Sequence, residues 1–412
     1  MKDDIESQAA KNIELNNKEI ENRCFKLEST PPLLHIDFIG ICNMTPHCPM
    51  CLNWDGAIGP RHHQGMKIDD FLKFGKFFDN ASVLINCGIG EPLLNKDLIE
   101  ILKLFSKEKK EFAINSNGLA LKRDLADKII PFSPYLTIIF SIDAASRETY
   151  SKLRANNFDE VIENIAYYCQ KRRKEFGSLK TKTGICFLPM KLNKHEVPDF
   201  IKLGARIGVD VVELRSLNEV DHQIKIERKG FVFDYQEQQL SMDELDELRH
   251  VAQKEADRYG IRFDCQYSFD VDYTYEYFVP KEFKHLNIPC LLPWRFLLPY
   301  QNGDTIGCCY MNRSLGNWRE IGLDLLWNGA NMQNIRRELA SGKLAKECLK
   351  YRSCPIVGRE LKRSQSEYSL TKLRDNIRTP LPFFKALSKH MPILKRPYVF
   401  IKRIMQKLFG RK

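Results

Sequence analysis

The chain has 412 residues, which is long for one ordinary domain and suits a catalytic domain with a smaller unit beside it. Hydrophobic residues at 43 % and charged residues at 28 % exclude disordered, collagen-like and coiled-coil classes. The formal net charge is +11, but residues 379–412 alone carry nine Lys or Arg and no Asp or Glu, so the rest is nearly balanced and no nucleic-acid-binding surface is expected across the fold.

In chain order, residues 1–32 read as a charged helical extension, MKDDIESQAAKNIELNNKEIENR at its start, where a signal peptide would need an apolar stretch. No apolar run reaches the roughly 18 residues of a membrane span, so a cytoplasmic protein is expected. In that compartment thirteen cysteines argue against a disulfide framework and for metal ligation or catalysis. From about residue 33 to 215, short apolar runs alternate with longer helical patterns, the mark of repeated β-α units and a parallel sheet. Strands are predicted at LLHIDFI, SVLINC, EFAINS, LTIIFSI, TGICFL and VDVVELR. Helices are predicted at KIDDFLKFGKFF, DLIEILKLFSKEKK, LKRDLADKII, FDEVIENIAYYCQKRRKEF and VPDFIKLGARIG. Six such units make an α/β fold, a partial (β/α)6 TIM-type barrel.

Ligand-binding residues of such a barrel belong at the C-terminal strand ends. There the sequence places the cysteine triplet after the first strand, GIGEP after the second, NSNG at the third and SIDAAS at the fourth. Residues 217–240 follow as a polar insertion, then a helix over SMDELDELRHVAQKEADRYG with Ser241 as N-cap and Glu244 closing a capping box. A boundary is expected near residues 270–289. Beyond it, the segment 290–358 reads as a small cysteine-bearing module.

The first motif is CNMTPHCPMC, with Cys42, Cys48 and Cys51 spaced C-x5-C-x2-C just after a strand. Three thiolates on one loop hold three irons of a 4Fe-4S cluster and leave the fourth open, as catalysis requires. With His47 the same cysteines would make a Cys3His zinc site, which spacing alone leaves open. Later come Cys290, twelve residues, Gly303, four residues and Cys308, and then Cys348 and Cys354 in CLKYRSCP. A zinc ribbon on these four is the alternative there.

Together these motifs resemble the radical S-adenosylmethionine (SAM) superfamily, in particular members with a SPASM or twitch C-terminal extension, from about Leu33 to Pro355. The cysteine spacing departs from the family's commonest C-x3-C-x2-C, and Met50 stands where an aromatic residue is usual. The family's GGEP motif falls on Ile89, Gly90, Glu91 and Pro92, with Gly88 displaced by one. Tyr351 stands where a further cysteine is expected. The resemblance implies a SAM-binding 4Fe-4S cluster on Cys42, Cys48 and Cys51, and SAM contacts from Gly90, Glu91, Asn117, Ser141, Asp143, Arg154 and Met190, with Leu188 beside it. Glu91 would accept from the SAM ammonium and Arg154 would neutralise its carboxylate. Cys290, Cys308, Cys348 and Cys354 suffice for one auxiliary 4Fe-4S cluster, with Cys309 able to replace Cys308, while Cys24, Cys87, Cys169, Cys186 and Cys265 read as buried thiols.

The implied chemistry is reductive cleavage of SAM to a 5′-deoxyadenosyl radical that abstracts a substrate hydrogen, fed by a flavodoxin- or ferredoxin-type donor. An oxidoreductase is expected, dehydrogenating or epimerising a polar metabolite such as a sugar, cyclitol or glycan precursor. The short stretch before the first strand disfavours, but leaves as an alternative, a peptide (RiPP) maturase of the SPASM class; a non-catalytic zinc-binding protein is the other. The expected units are an N-terminal extension (1–32), the barrel (33–270), the SPASM/twitch-like domain (271–360) and a basic tail (361–412). In that tail Ile401, Ile404, Met405 and Leu408 share a helical face opposite Lys402, Arg403 and Lys407, suggesting peripheral membrane contact.

Overall fold

The computed structural model describes residues 2–45, 47–51, 65–87, 90–217, 225–228, 231–266, 278–311, 313–351 and 354–359. The chain divides into two units, residues 1–357 and residues 358–412. The basic tail lies outside the described residues, and so do Gly88 and Ile89 of the glycine-rich turn. No described helix is long and apolar enough to cross a membrane.

The six expected strands are β1 (Leu34–Ile36), β2 (Val83–Asn86), β3 (Glu111–Ser116), β4 (Leu136–Ser141), β5 (Thr183–Phe187) and β6 (Val211–Arg215). They pair in sequence order and in parallel, and the sheet gains a seventh parallel strand, Arg262–Gln266, beyond β6. β1 and the seventh strand are the two ends of this sheet, so it is open, as a partial barrel is. The helices pack on its outer face by the spacing of their apolar residues. Leu98, Ile101, Leu102 and Phe105 of helix Leu98–Lys107 lie one or two turns apart and are all buried. Phe105 meets Phe112 of β3 with ring centroids 5.1 Å apart, and Phe71 at 5.2 Å. Gly75, at φ +53°, splits the expected helix over 67–78 into Ile68–Lys73 and Lys76–Asp79.

The polar insertion contains an antiparallel hairpin, Lys225–Arg228 with Phe231–Asp234, and the capping box of Ser241 and Glu244 starts helix Met242–Tyr259 as expected. Next to the barrel lies a second, small antiparallel sheet of Leu298–Pro299, Asp304–Ile306 and Gly316–Asn317. It docks on the free edge of β1: Asp37 N–H donates to the Pro299 carbonyl at 3.1 Å, and Asp37 bridges Tyr300 in parallel. An edge that would otherwise be unpaired thus joins the cysteine-bearing module to the barrel.

Helix Lys2–Glu21 and the chain after it are built into that same module. Asn16 donates to the Trp294 carbonyl at 2.8 Å, Trp294 Nε1 to the Cys24 carbonyl at 2.7 Å and Trp327 Nε1 to the Ser29 carbonyl at 2.8 Å. The fully buried Arg336 donates to the carbonyls of Pro293 (2.8 Å) and Phe25 (3.0 Å) and lies 4.3 Å over the Trp327 ring. Burial pulls its guanidinium down to about 9. Arg336→Met strips the buried Pro293 carbonyl of its donor, at about 1–3 kcal/mol, and the part-buried Phe25 carbonyl as well. It is expected to lower the thermal unfolding midpoint by several degrees, read by circular dichroism.

Candidate functional site

The chain leaves β1 into the cysteine loop under tight control from β2. Cys87 N–H donates to the Ile36 carbonyl at 2.8 Å, and the Asn86 side chain accepts from Phe38 N–H at 3.1 Å. Cys48 is buried, Cys42 and Cys51 are half-buried, and a turn from Cys51 N–H to the Cys48 carbonyl (3.0 Å) brings the last two together. Burial pushes the Cys42 thiol up to about 11, and the nearby Glu91, Cys48 and Cys51 push the same way. Tyr235, just after the hairpin of the insertion, donates its hydroxyl to the Met50 carbonyl at 2.8 Å and closes the loop from outside.

The turn after β2 is wedged against this loop. Glu91 N–H donates to the Ile41 carbonyl at 2.7 Å, and a Cβ on Gly90 would stand 2.1 Å from the Ile39 carbonyl oxygen and 2.6 Å from that of Ile41. Only glycine permits that approach. The Glu91 carboxylate points inward rather than into the mouth. It accepts from Leu93 N–H (3.1 Å), Ser116 Oγ (2.8 Å) and Asn117 N–H (2.7 Å), and it is 2 % exposed. Burial raises its pKa against the pull of those three donors. In this arrangement its oxygens staple β2 to β3. Asn117, so fixed, donates to the Asn43 side chain at 2.8 Å and to Cys42 Sγ at 3.6 Å.

Asp143, after β4, is also turned inward. It is fully buried and holds a left-handed backbone, φ +60°, which Asp tolerates better than most residues. Its carboxylate accepts from Leu188 N–H at 2.8 Å and from Arg154, Nε at 2.9 Å and Nη2 closer still. Arg154 in turn donates from Nη1 to Cys48 Sγ at 3.5 Å. Burial works against the charge of Arg154, but Asp143 and Cys48 outweigh it and hold its pKa above the ordinary guanidinium value. Asp143 is thus a positioning residue for Arg154, not an open hydrogen-bond partner for a ligand. Met190 is fully buried, a core side chain rather than an adenine contact, because Asn193 pulls its loop inward by donating to the carbonyls of Asp143 (2.9 Å) and Leu188 (3.0 Å). Ser141 and Leu188 are half-exposed at the strand ends.

The second cysteine set converges in the small module. Cys290 is buried, and its thiol is raised well above the ordinary value, first by burial and then by Cys308, Cys354 and Cys348, which face it. Cys308 is lowered by the hydrogen bond from Cys309, with the N–H groups of Tyr310 and Met311 helping against burial. Gly303 sets the hairpin between Cys290 and Cys308: its φ is +100°, and a Cβ there would meet the Asn317 side chain at 2.3 Å. Tyr351 gives its hydroxyl to Glu347 at 3.0 Å. Of the remaining thiols, Cys169 and Cys186 are buried as expected, Cys24 and Cys265 are half-buried, and Cys87 is exposed.

Burial raises Cys42 in the first set and Cys290, Cys348 and Cys354 in the second, and thiols so raised give up their protons to a strongly cationic group, which is what the irons of a cluster provide. Both sets therefore fit iron-sulfur clusters. Among the described residues, no three His, Cys, Asp or Glu side chains stand close enough together to hold a single metal ion. Asn43 and Asn193 have no sequence signal beyond polarity beside a motif, and Tyr235, in the polar insertion, has none.

Two glycines offer separate control of the two sets. Gly90→Ala is expected to lose the irons of the first cluster, about four per chain, and keep the second; Gly303→Ala is expected to do the reverse. Iron analysis with electron paramagnetic resonance distinguishes them.

The sequence pattern of the radical SAM superfamily matches residues 36–204, and that of the SPASM iron-sulfur cluster-binding domain matches residues 290–355. A probable GTP 3′,8-cyclase of Saccharolobus islandicus (strain Y.N.15.51 / Yellowstone #2) is 33 % identical over 192 residues, 45 % of this chain and 57 % of that protein. The tungsten-containing aldehyde ferredoxin oxidoreductase cofactor-modifying protein of Pyrococcus furiosus is 24 % identical over 193 residues, 45 % of this chain and 51 % of that protein. The chain thus spans little more than half the length of these curated relatives. Among solved structures, Streptococcus suis SuiB bound to precursor peptide SuiA superposes with a TM-score of 0.60 at 16 % identity, over 84 % of this chain and 74 % of that one. Native anSMEcpe with bound AdoMet and a peptide gives 0.52 at 15 %, over 78 % and 87 %. At such identities the likeness is one of fold. The chain carries a radical SAM domain, which binds a 4Fe-4S cluster and SAM, and a C-terminal SPASM domain, which binds auxiliary iron-sulfur clusters.

Proposed function

We propose that this protein is a radical SAM oxidoreductase in which Cys42, Cys48 and Cys51 hold the SAM-cleaving cluster and Cys290, Cys308, Cys348 and Cys354 hold one auxiliary 4Fe-4S cluster. The observation that carries this reading is the meeting of the cysteine loop, the Gly90–Glu91 turn, Asn117 and Arg154 at one end of the strands. When bound, the first cluster and SAM supply a 5′-deoxyadenosyl radical that removes a substrate hydrogen.

The protein's own residues prepare for that chemistry. Asn117 and Arg154 donate to two of the three sulfurs, and hydrogen bonds to sulfur are one of the ways a protein sets cluster potential. Gly90 leaves the Ile39 and Ile41 carbonyls close to the turn, and Ser141 and Leu188 remain at the surface of the mouth to meet SAM. Four cysteines at the auxiliary site are enough to ligate every iron, which suits electron transfer and a net oxidation of the substrate. Residues 33–270 would form the catalytic barrel and 271–360 the auxiliary domain, reduced by a flavodoxin- or ferredoxin-type donor. Relatives named as GTP 3′,8-cyclases support a small polar substrate over a peptide. The tail, 361–412, is proposed to touch the membrane from the cytoplasm.

Anaerobically purified wild type should contain about eight irons and eight sulfides per chain. With dithionite and SAM it should form 5′-deoxyadenosine, and Cys42→Ala should abolish that product. Zinc without iron, or product formation that survives Cys42→Ala, overturns the reading.

A further inference from the structure

One charged group at the mouth has no part in holding the cysteine loop. Residues alternate in and out along a strand, so Glu213 and Arg215 of β6 point to the same face of the sheet as Cys186 of β5, which is registered with Glu213. Ile139, Cys186 and Val211 form a small separate apolar cluster on that face, apart from the main core outside the sheet. Arg215 rises above it at the strand end. Its Nε and Nη2 donate to one oxygen of Glu213 at 2.9 and 2.6 Å, and its Nη1 donates to Asn115 Oδ1, on β3, at 3.1 Å.

That reach from β6 to β3 crosses the ends of β4 and β5. The guanidinium is therefore suspended over the mouth, and its side chain is 31 % exposed where Glu213 is 9 % exposed. Of its five N–H donors, three are used by Glu213 and Asn115 and two remain. Asn115 is exposed, and because its carbonyl oxygen is occupied by Arg215 it presents its amide N–H groups outward. The result is a donor-rich rim over an apolar floor, the pattern of a ligand pocket with a few placed polar groups. Its neighbours include Asp143 and, through Cys186, the same surroundings as Arg154, so whatever it holds lies beside the cysteine loop.

We propose that Arg215 and Asn115, braced by Glu213, form a subsite for an oxyanion of the substrate, a carboxylate or a phosphate. A guanidinium fork with two open N–H groups matches either one bidentately, and the adjacent amide adds a third donor. The proposal rests on the functional reading above, in that it takes the barrel mouth as the substrate site, and it adds the substrate's charge class.

Full-length protein, reconstituted with iron and sulfide without oxygen and saturated with SAM, is titrated calorimetrically with inorganic pyrophosphate and separately with succinate. One of the two should bind, which also tells phosphate from carboxylate. Arg215→Gln should weaken that binding by about tenfold or more, the worth of a charge-assisted pair, and Arg215→Lys by less. Asn115→Asp keeps Arg215 paired and folded but puts a carboxylate against the anion, and it should weaken binding as much. SAM affinity should stay within about threefold of wild type in all three, well inside the tenfold that one such pair would cost. Failure of both anions to bind wild type, unchanged binding by Arg215→Gln and Asn115→Asp, or a loss confined to SAM affinity overturns the proposal. A wild type that makes no 5′-deoxyadenosine overturns the functional reading instead, and the calorimetry still decides the anion subsite.

Discussion

The buried carboxylate of Glu91 is the constraint on which the first cysteine site depends. It gathers three donors from two strand ends, and one of them, Asn117, carries that position on to Cys42 and Asn43. Gly90 brings the same turn to within backbone contact of Ile39 and Ile41, on the approach to the cysteines. On the opposite side of the loop, Asp143 does for Arg154 and Cys48 what Glu91 does for Asn117 and Cys42. The cysteines thus sit between two buried carboxylates, each acting through a polar side chain on one sulfur. A charged group this deep is costly unless its acceptors are filled, and here the bonds that fill them also fix the site.

The second cysteine set depends on a different device. The free edge of β1 accepts the small sheet through Asp37, and Arg319 of the same module pairs with Asp70 in the helix that follows the first cysteine loop. Helix Lys2–Glu21 and the chain after it seal the other side through Trp294, Trp327 and Arg336. The N-terminal helix and the cysteine-bearing module are therefore one packing unit, and the barrel lies between them in sequence.

Much of this was legible from the residues, and the parts that were not have physical causes. Strand β3 and helix Phe158–Phe176 fall where periodicity places them, because each buries one regular face. The seventh strand escaped notice because Arg262 and Asp264 alternate in it and pair with each other, leaving no apolar run to see. Cysteine spacing and the Gly-Glu-Pro turn announced the site. Residue type alone could not say which polar side chains face a ligand. Glu91 and Asp143 look like ligand contacts in sequence, but their partners, Ser116, Asn117 and Leu188, lie 25 to 45 residues away and turn both carboxylates inward. Met190 fails for a like reason, since Asn193 folds its loop into the core.

Counting iron in Glu91→Gln before any SAM is added tests the account most directly, because it separates a carboxylate that holds the cysteine loop from one that holds the ligand. An amide at that position sets N–H against N–H where three donors now converge on two oxygens. The variant should keep only the auxiliary cluster, about four irons per chain. A variant with both clusters intact and only its affinity for SAM reduced would contradict it.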